Sequence, residues 1–133
     1  MARILIAEDE DSLRHLVARA LSLDGHRVMT ANDGAEALDL LAREHGGFEL
    51  LLTDIRMPVM DGIALALAAA RDHPQVAILL MTGYADQRER AHGLDALIHD
   101  VISKPFTLSQ IRTAVNEALR ADDRGRMTDD GRT

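Results

Sequence analysis

The acidic run Glu8, Asp9, Glu10 and Asp11 follows one short apolar stretch, Asp54 follows a second, Thr82-Gly83 a third and Ser103-Lys104-Pro105 a fourth. Carboxylates are hard oxygen donors, a hydroxyl donates a hydrogen bond, and an ammonium is a compact point charge. Gathered at one edge of a fold, the carboxylates would repel by about 1 kcal/mol per pair at ~4 Å in water, and by about 4 kcal/mol at an effective dielectric near ~20. A hard divalent cation is the economical offset. Mg2+ keeps several waters and takes one or two carboxylates plus a substrate phosphate, which suits an open rim. Lys104 and the Thr82 hydroxyl would then meet phosphate oxygens, and the chemistry expected is phosphoryl transfer.

Each of these groups also has an ordinary structural use. Asp11 suits a helix N-cap, and the acidic run suits a first helical turn. Asp54 can open the turn Asp54-Ile55-Arg56-Met57-Pro58, with Asp61-Gly62 as a second turn. Thr82 can bond its own backbone, and a lone lysine is ordinarily a surface residue. The elements that carry them decide between the two uses.

Apolar runs of strand length lie at Ile4 to Ala7, Val28 to Ala31, Leu50 to Thr53, Val76 to Met81 and Val101 to Ile102. Between them the spacing is helical. Leu13, Leu16, Val17, Ala20 and Leu21 make an amphipathic stripe, Asp33 and Glu36 open a second helix with a capping box, and Thr107 and Gln110 repeat that device before Leu108, Ile111, Val115 and Leu119. Alternating strands and helices predict right-handed βαβ units and an α/β fold, a parallel sheet of five strands covered on both faces by five helices. In such sheets ligands bind beyond the carboxyl ends of the strands, and every group named above sits just past one of those ends. Ala85 to His99 has the weakest pattern and holds a short fourth helix. Residues 122 to 133 have Met127 as their one apolar side chain, so a disordered polar tail is expected there, after a domain spanning residues 1 to 121.

The chain has 133 residues and a formal charge of −7, enough for one domain and unfavourable to phosphate backbones, so no nucleic-acid partner is expected. There is no cysteine, no signal-peptide layout in the first twenty residues and no membrane-length apolar run, which makes a cytoplasmic protein with no membrane contact the expectation. The six histidines, His15, His26, His45, His73, His92 and His99, lack metal-ligand spacing and read as surface residues.

The residues also resemble a family. Glu8-Asp9, Thr53-Asp54 with Met57-Pro58 and Asp61-Gly62, Thr82-Gly83, and Lys104-Pro105-Phe106 are similar to the motifs of the receiver domain of bacterial two-component response regulators, over about residues 2 to 121. The resemblance implies a doubly wound, flavodoxin-like sheet of strand order 2-1-3-4-5. It also implies that Asp54 accepts a phosphoryl group from a phosphohistidine of a histidine kinase or phosphotransfer protein. Mg2+ would be held by Asp9, Asp54 and the main-chain carbonyl of Arg56, with Glu8 acting through water. Lys104 would pair with the phosphoryl oxygens, Thr82 would move to bond one of them, and Pro105 would follow a cis peptide bond that aims Lys104. Output would be protein contact through the face made by helix four, strand five and helix five, in a signalling domain rather than an enzyme.

Three departures from the pattern stand out. Val101 stands where many receivers carry a switch aromatic, leaving Tyr84 as the nearby aromatic, and Leu97 replaces the usual small residue seven before Lys104. Arg56 and Tyr84 occupy the two positions that modulate attacking water in this family, and their bulk implies slow hydrolysis of a phosphoaspartate. With no DNA-binding or catalytic module expected after residue 121, a stand-alone adaptor, relay intermediate or phosphate sink is implied. Thr82-Gly83-Tyr84 and Ser103-Lys104-Pro105-Phe106 are similar to CpdR-type receivers, which implies a protease or its adaptor system downstream. A small aspartyl-phosphate phosphatase of the haloacid-dehalogenase type would need a second acid two residues after Asp54, where Arg56 stands. A flavodoxin-like electron carrier would need a hydroxyl-rich loop where four acids lie.

Overall fold

The structure is a computed structural model that describes residues 2–83, 90–91 and 93–132, with side chains described as far as Ala121. Its strands are β1 (Arg3–Ala7), β2 (Arg27–Ala31), β3 (Leu50–Asp54), β4 (Ala77–Thr82) and β5 (Asp100–Ser103). They form one sheet in the order β2-β1-β3-β4-β5 with every pair parallel, as the doubly wound reading requires. The helices are α1 (Asp11–Leu23), α2 (Gly34–Arg43), α3 (Gly62–Asp72) and α4 (Leu108–Arg132), four among the described residues.

Side-chain alternation along the strands separates two cores. Leu5, Leu51, Ile78 and Leu80 face α2 and α3, where Ala37, Leu41, Leu65, Ala66 and Ala69 pack against them. Ile4, Ile6, Leu50, Leu52, Leu79 and Met81 face the other way and meet Val17 and Leu21 of α1 and Ile111, Val115 and Ala118 of α4. The strands are apolar at consecutive positions because both faces of the sheet are covered.

Of the two predicted capping boxes, the one before α4 closes in both directions and the one before α2 supplies its N-cap bond. Asp33 accepts a hydrogen bond from the Glu36 N–H at 2.8 Å. Before α4, Thr107 Oγ1 accepts from the Gln110 N–H at 3.1 Å while Gln110 Oε1 accepts from the Thr107 N–H at 2.8 Å. Asp61, read as a turn residue, is the N-cap of α3 and accepts from the Ala64 N–H at 2.8 Å. The N-cap of α1 is Glu10 rather than Asp11, which lies in the first turn.

The inward face of α1 differs from the predicted stripe. Arg14, Val17, Ala20 and Leu21 are buried, whereas Leu16 is 49% exposed. An arginine therefore lies on the buried side of the helix, while a leucine at the other edge of the predicted stripe faces solvent. The expected fourth helix falls partly on residues 84–89 and 92, outside the described residues; Arg90 and Ala91 are helical, and turns follow at 93–97. The backbone of α4 continues past Ala121 through the stretch expected as a polar tail, whose side chains lie outside the described residues. No helix among the described residues is long and apolar enough to cross a membrane.

Candidate functional site

The carboxyl ends of β1, β3 and β5 open into one cleft of about 710 Å³ lined by Glu8, Asp9, Asp54, Arg56, Gly83, Lys104 and Pro105, with Leu13 and Phe106 at its sides. Register explains the convergence. Ala7 pairs with Thr53, Asp54 with Met81 and Thr82 with Ser103, so Glu8 follows at the level of Asp54, Thr82 lies one residue further along and Lys104 two. Glu8, Asp9 and Asp54 each place a carboxylate oxygen within 4.8 Å of the others.

Lys104 holds this acid group together. Its Nζ donates to Glu8 Oε1 at 2.9 Å and to Asp54 Oδ2 at 2.9 Å. The Lys104-Pro105 peptide is cis, and the Lys104 N–H donates to the Thr82 carbonyl at 2.7 Å. Burial works against the ammonium, yet the bonds to Glu8 and Asp54 outweigh it and hold the lysine above its ordinary pKa. The carboxylate repulsion inferred from sequence thus has an internal offset at two of the three acids. What the sequence assigned to a cation is here shared with a lysine.

Glu8 is enclosed, with 1% of its surface exposed. Its second oxygen accepts from the Glu10 N–H at 3.1 Å. Burial pushes its carboxyl up to about 7, against the hydrogen bonds from Lys104 and Glu10, and the neighbouring Asp54 charge adds to the rise. Asp54 is nearly as enclosed, whereas Asp9 is exposed and no described residue bonds its carboxylate.

Thr82 is buried at the end of β4 and does not line the cleft. Arg56 does line it and is exposed; Tyr84 lies outside the described residues. Among the histidines, His15, His45 and His99 are exposed and His26 and His73 half-buried, while His92 is outside the described residues. Sequence reasoning passed over Arg14, whose Nη1 donates to the Glu8 carbonyl at 2.9 Å and whose Nη2 meets Asp11 Oδ1 at 2.5 Å. Its spacing with Val17 and Leu21 on one helix face was the signal available.

An all-oxygen donor set of three carboxylates, one exposed and two braced by a lysine, fits a hard divalent cation and does not fit a soft one. A doubly wound sheet with such an acid pocket at its carboxyl edge and a lysine just past the last strand defines the class. The response regulator receiver domain family matches the chain over residues 4–116, and the chain belongs to that family.

Regulatory protein AtoC of Escherichia coli (strain K12) is 40% identical over 119 residues, covering 89% of this chain and 25% of that protein. Response regulator MprA of Mycobacterium leprae (strain TN) is 35% identical over 118 residues, covering 89% of this chain and 51% of that one. The chain spans about half or less of the length of these relatives. Among solved structures, response regulator protein TrrA from Thermotoga maritima in complex with Mg(2+)-BeF has a TM-score of 0.78 at 27% identity, over 89% of this chain and 99% of that chain. Receiver domains are signalling domains with a phosphoacceptor role, and they interact with histidine kinases or phosphotransfer proteins.

Proposed function

We propose that residues 1 to 121 form a Mg2+-dependent phosphoacceptor module in which Asp54 takes a phosphoryl group from a phosphohistidine of a histidine kinase or phosphotransfer protein. The observation that carries this reading is the Lys104 ammonium, 2.9 Å from both Glu8 and Asp54, beside an exposed Asp9. An Asp54 carboxylate oxygen attacks phosphorus in line, the P–N bond to the donor imidazole breaks, and an acyl phosphate remains on Asp54. Asp9, Asp54 and the Arg56 main-chain carbonyl hold the cation, which supplies positive charge against the phosphoryl oxygens. Both oxygens of Glu8 are already engaged, by Lys104 and by the Glu10 N–H, which supports a role through water rather than direct ligation.

Lys104 can exchange a carboxylate for a phosphoryl oxygen because an ammonium has three rotatable donors on a flexible stem. Thr82, buried one residue past the Asp54 register, reaches the phosphoryl group only by moving. That movement is the event that carries the signal to the segment before β5 and to a protein partner on the face of that segment, β5 and α4. Arg56 at the cleft, with Tyr84, restrains the water that would hydrolyse the acyl phosphate. The TrrA structure in complex with Mg(2+)-BeF supports the cation, since this chain presents an acid trio on the same fold. The module acts in the cytoplasm as a phosphorelay component or as an adaptor for a partner such as a protease system.

Intact-mass spectrometry after incubation with acetyl phosphate and Mg2+ tests the reading. One added phosphoryl group is expected, absent in Asp54→Asn and absent in EDTA. Addition that persists in Asp54→Asn would move the acceptor elsewhere.

A further inference from the structure

We infer that Arg14 is a positioning residue for the cation site: its guanidinium fixes the peptide between Glu8 and Asp9, and so sets how tightly the Asp9 carboxylate engages a divalent cation. This rests on reading the cleft as a Mg2+-dependent phosphoacceptor site.

Arg14 is 7% exposed and lies on the inward face of α1 beside Val17 and Leu21. A buried guanidinium is costly unless its donors are used. One arm uses Asp11, a carboxylate 79% exposed at 2.5 Å, a pairing that water screens and that adds little to stability. The other arm donates to the main-chain carbonyl of Glu8 at 2.9 Å, at the joint between the enclosed acid and the exposed one. The Arg14 N–H also donates to the Glu10 carbonyl at 2.9 Å, so the turn from Glu8 to Asp11 is closed onto α1.

The Glu8 side chain needs no such help, since Lys104 and the Glu10 N–H hold both its oxygens. Asp9 is different. No described residue bonds its carboxylate, yet one of its oxygens lies within 4.8 Å of both Glu8 and Asp54. Its placement therefore depends on the backbone that carries it, which the Glu8 carboxylate holds at the Glu10 N–H and Arg14 holds at the Glu8 carbonyl. Lysine does not reproduce this geometry, because all its donors leave from one nitrogen, whereas Arg14 spreads its two bonds over Nη1 and Nη2 of a planar fork.

Isothermal titration calorimetry of Mg2+ into the full chain tests this in wild type, Arg14→Lys, Arg14→Met and Arg112→Met. The last removes a two-bond ion pair from α4 to Asp24 and serves as the control for loss of a cross-element contact. Groups that orient metal ligands typically contribute roughly 10- to 100-fold to affinity, and a loss of that size is expected in both Arg14 variants. Arg112→Met should bind Mg2+ as wild type does. If Arg14→Met fails to fold, Arg14→Lys decides. Phosphorylation of Arg14→Lys by acetyl phosphate should recover when Mg2+ is raised to saturation, which a general structural defect would not allow. Wild-type Mg2+ affinity in the Arg14 variants, or a loss no larger than in Arg112→Met, overturns the inference alone. A wild-type chain that binds no Mg2+ overturns the cation reading beneath it as well.

Discussion

Glu8 shows how one carboxyl can be both enclosed and charged when needed. Burial pushes it up to about 7, while the Lys104 and Glu10 donors pull the other way. An unfolded chain releases that proton near pH 4.5. A group whose folded pKa lies above its unfolded value stabilises the fold fully below the unfolded pKa and loses that contribution as pH rises through the folded one. In EDTA, the urea midpoint should therefore fall between pH 4.5 and about 7, and Glu8→Gln should flatten that fall. An unchanged slope in the variant would place the titration on another group. Lys104 was legible as a site residue because it is the chain's single lysine and closes the last strand. Its resting partners were legible only in outline, since which of the five acids at that edge it meets depends on a backbone path that the sequence does not spell out. Arg14 was missed for the opposite reason: a charged residue in a helical stripe is read as solvated, and here it is enclosed with its donors used.

Elements were read best where local chemistry alone decides them. The five strands are short with apolar middles, the box at Thr107 closes in both directions, and Asp33 caps its helix through the Glu36 N–H. Less legible was the exact rotation of α1, which keeps Val17, Ala20 and Leu21 inside but buries Arg14 at one edge of the stripe and exposes Leu16 at the other. The junction of β3 and α3 is tighter than any pattern announces. A methyl in place of the Gly62 hydrogen would sit 2.0 Å from the Asp54 carbonyl oxygen and 2.8 Å from the Ile55 Cα, and the Gly62 N–H donates to the Ile55 carbonyl at 2.7 Å. Backbone meets backbone there, so neither side can yield cheaply. Gly62→Ala should lower stability by roughly 1–3 kcal/mol in urea melts, the usual range for overpacking, and should disturb Asp54 in the same stroke. A wild-type midpoint would mean that α3 pivots away without cost. Val59 in the same loop has a φ of 68°, a left-handed backbone that β-branched residues rarely adopt, and the Met60 N–H closes a tight turn onto the Pro58 carbonyl at 2.7 Å.

Across the whole molecule, a net charge of −7 is spread over a fold that gathers three of its acids at one rim. Lys104 offsets part of that concentration and leaves Asp9 open to solvent. A cation that binds the folded chain and not the unfolded one adds stability by linkage, about 2.7 kcal/mol at a concentration near ~100 times Kd. Saturating Mg2+ should raise the melting temperature accordingly, and Asp54→Asn should raise it in EDTA by relieving repulsion. Identical melting with and without Mg2+ would argue against a preformed site. The partners that hold the rim are distant along the chain: Lys104 reaches back 50 residues to Asp54 and 96 to Glu8. During synthesis the acids of the first strand emerge long before the lysine that braces them, and domains fold as units once their long-range pairs can close. A ribosome-bound chain that has not yet released its fifth strand therefore has every acid of the rim and no working pocket. Competence to take up a phosphoryl group would then report that the sheet is complete, so that an unfinished copy stays silent instead of draining its donor.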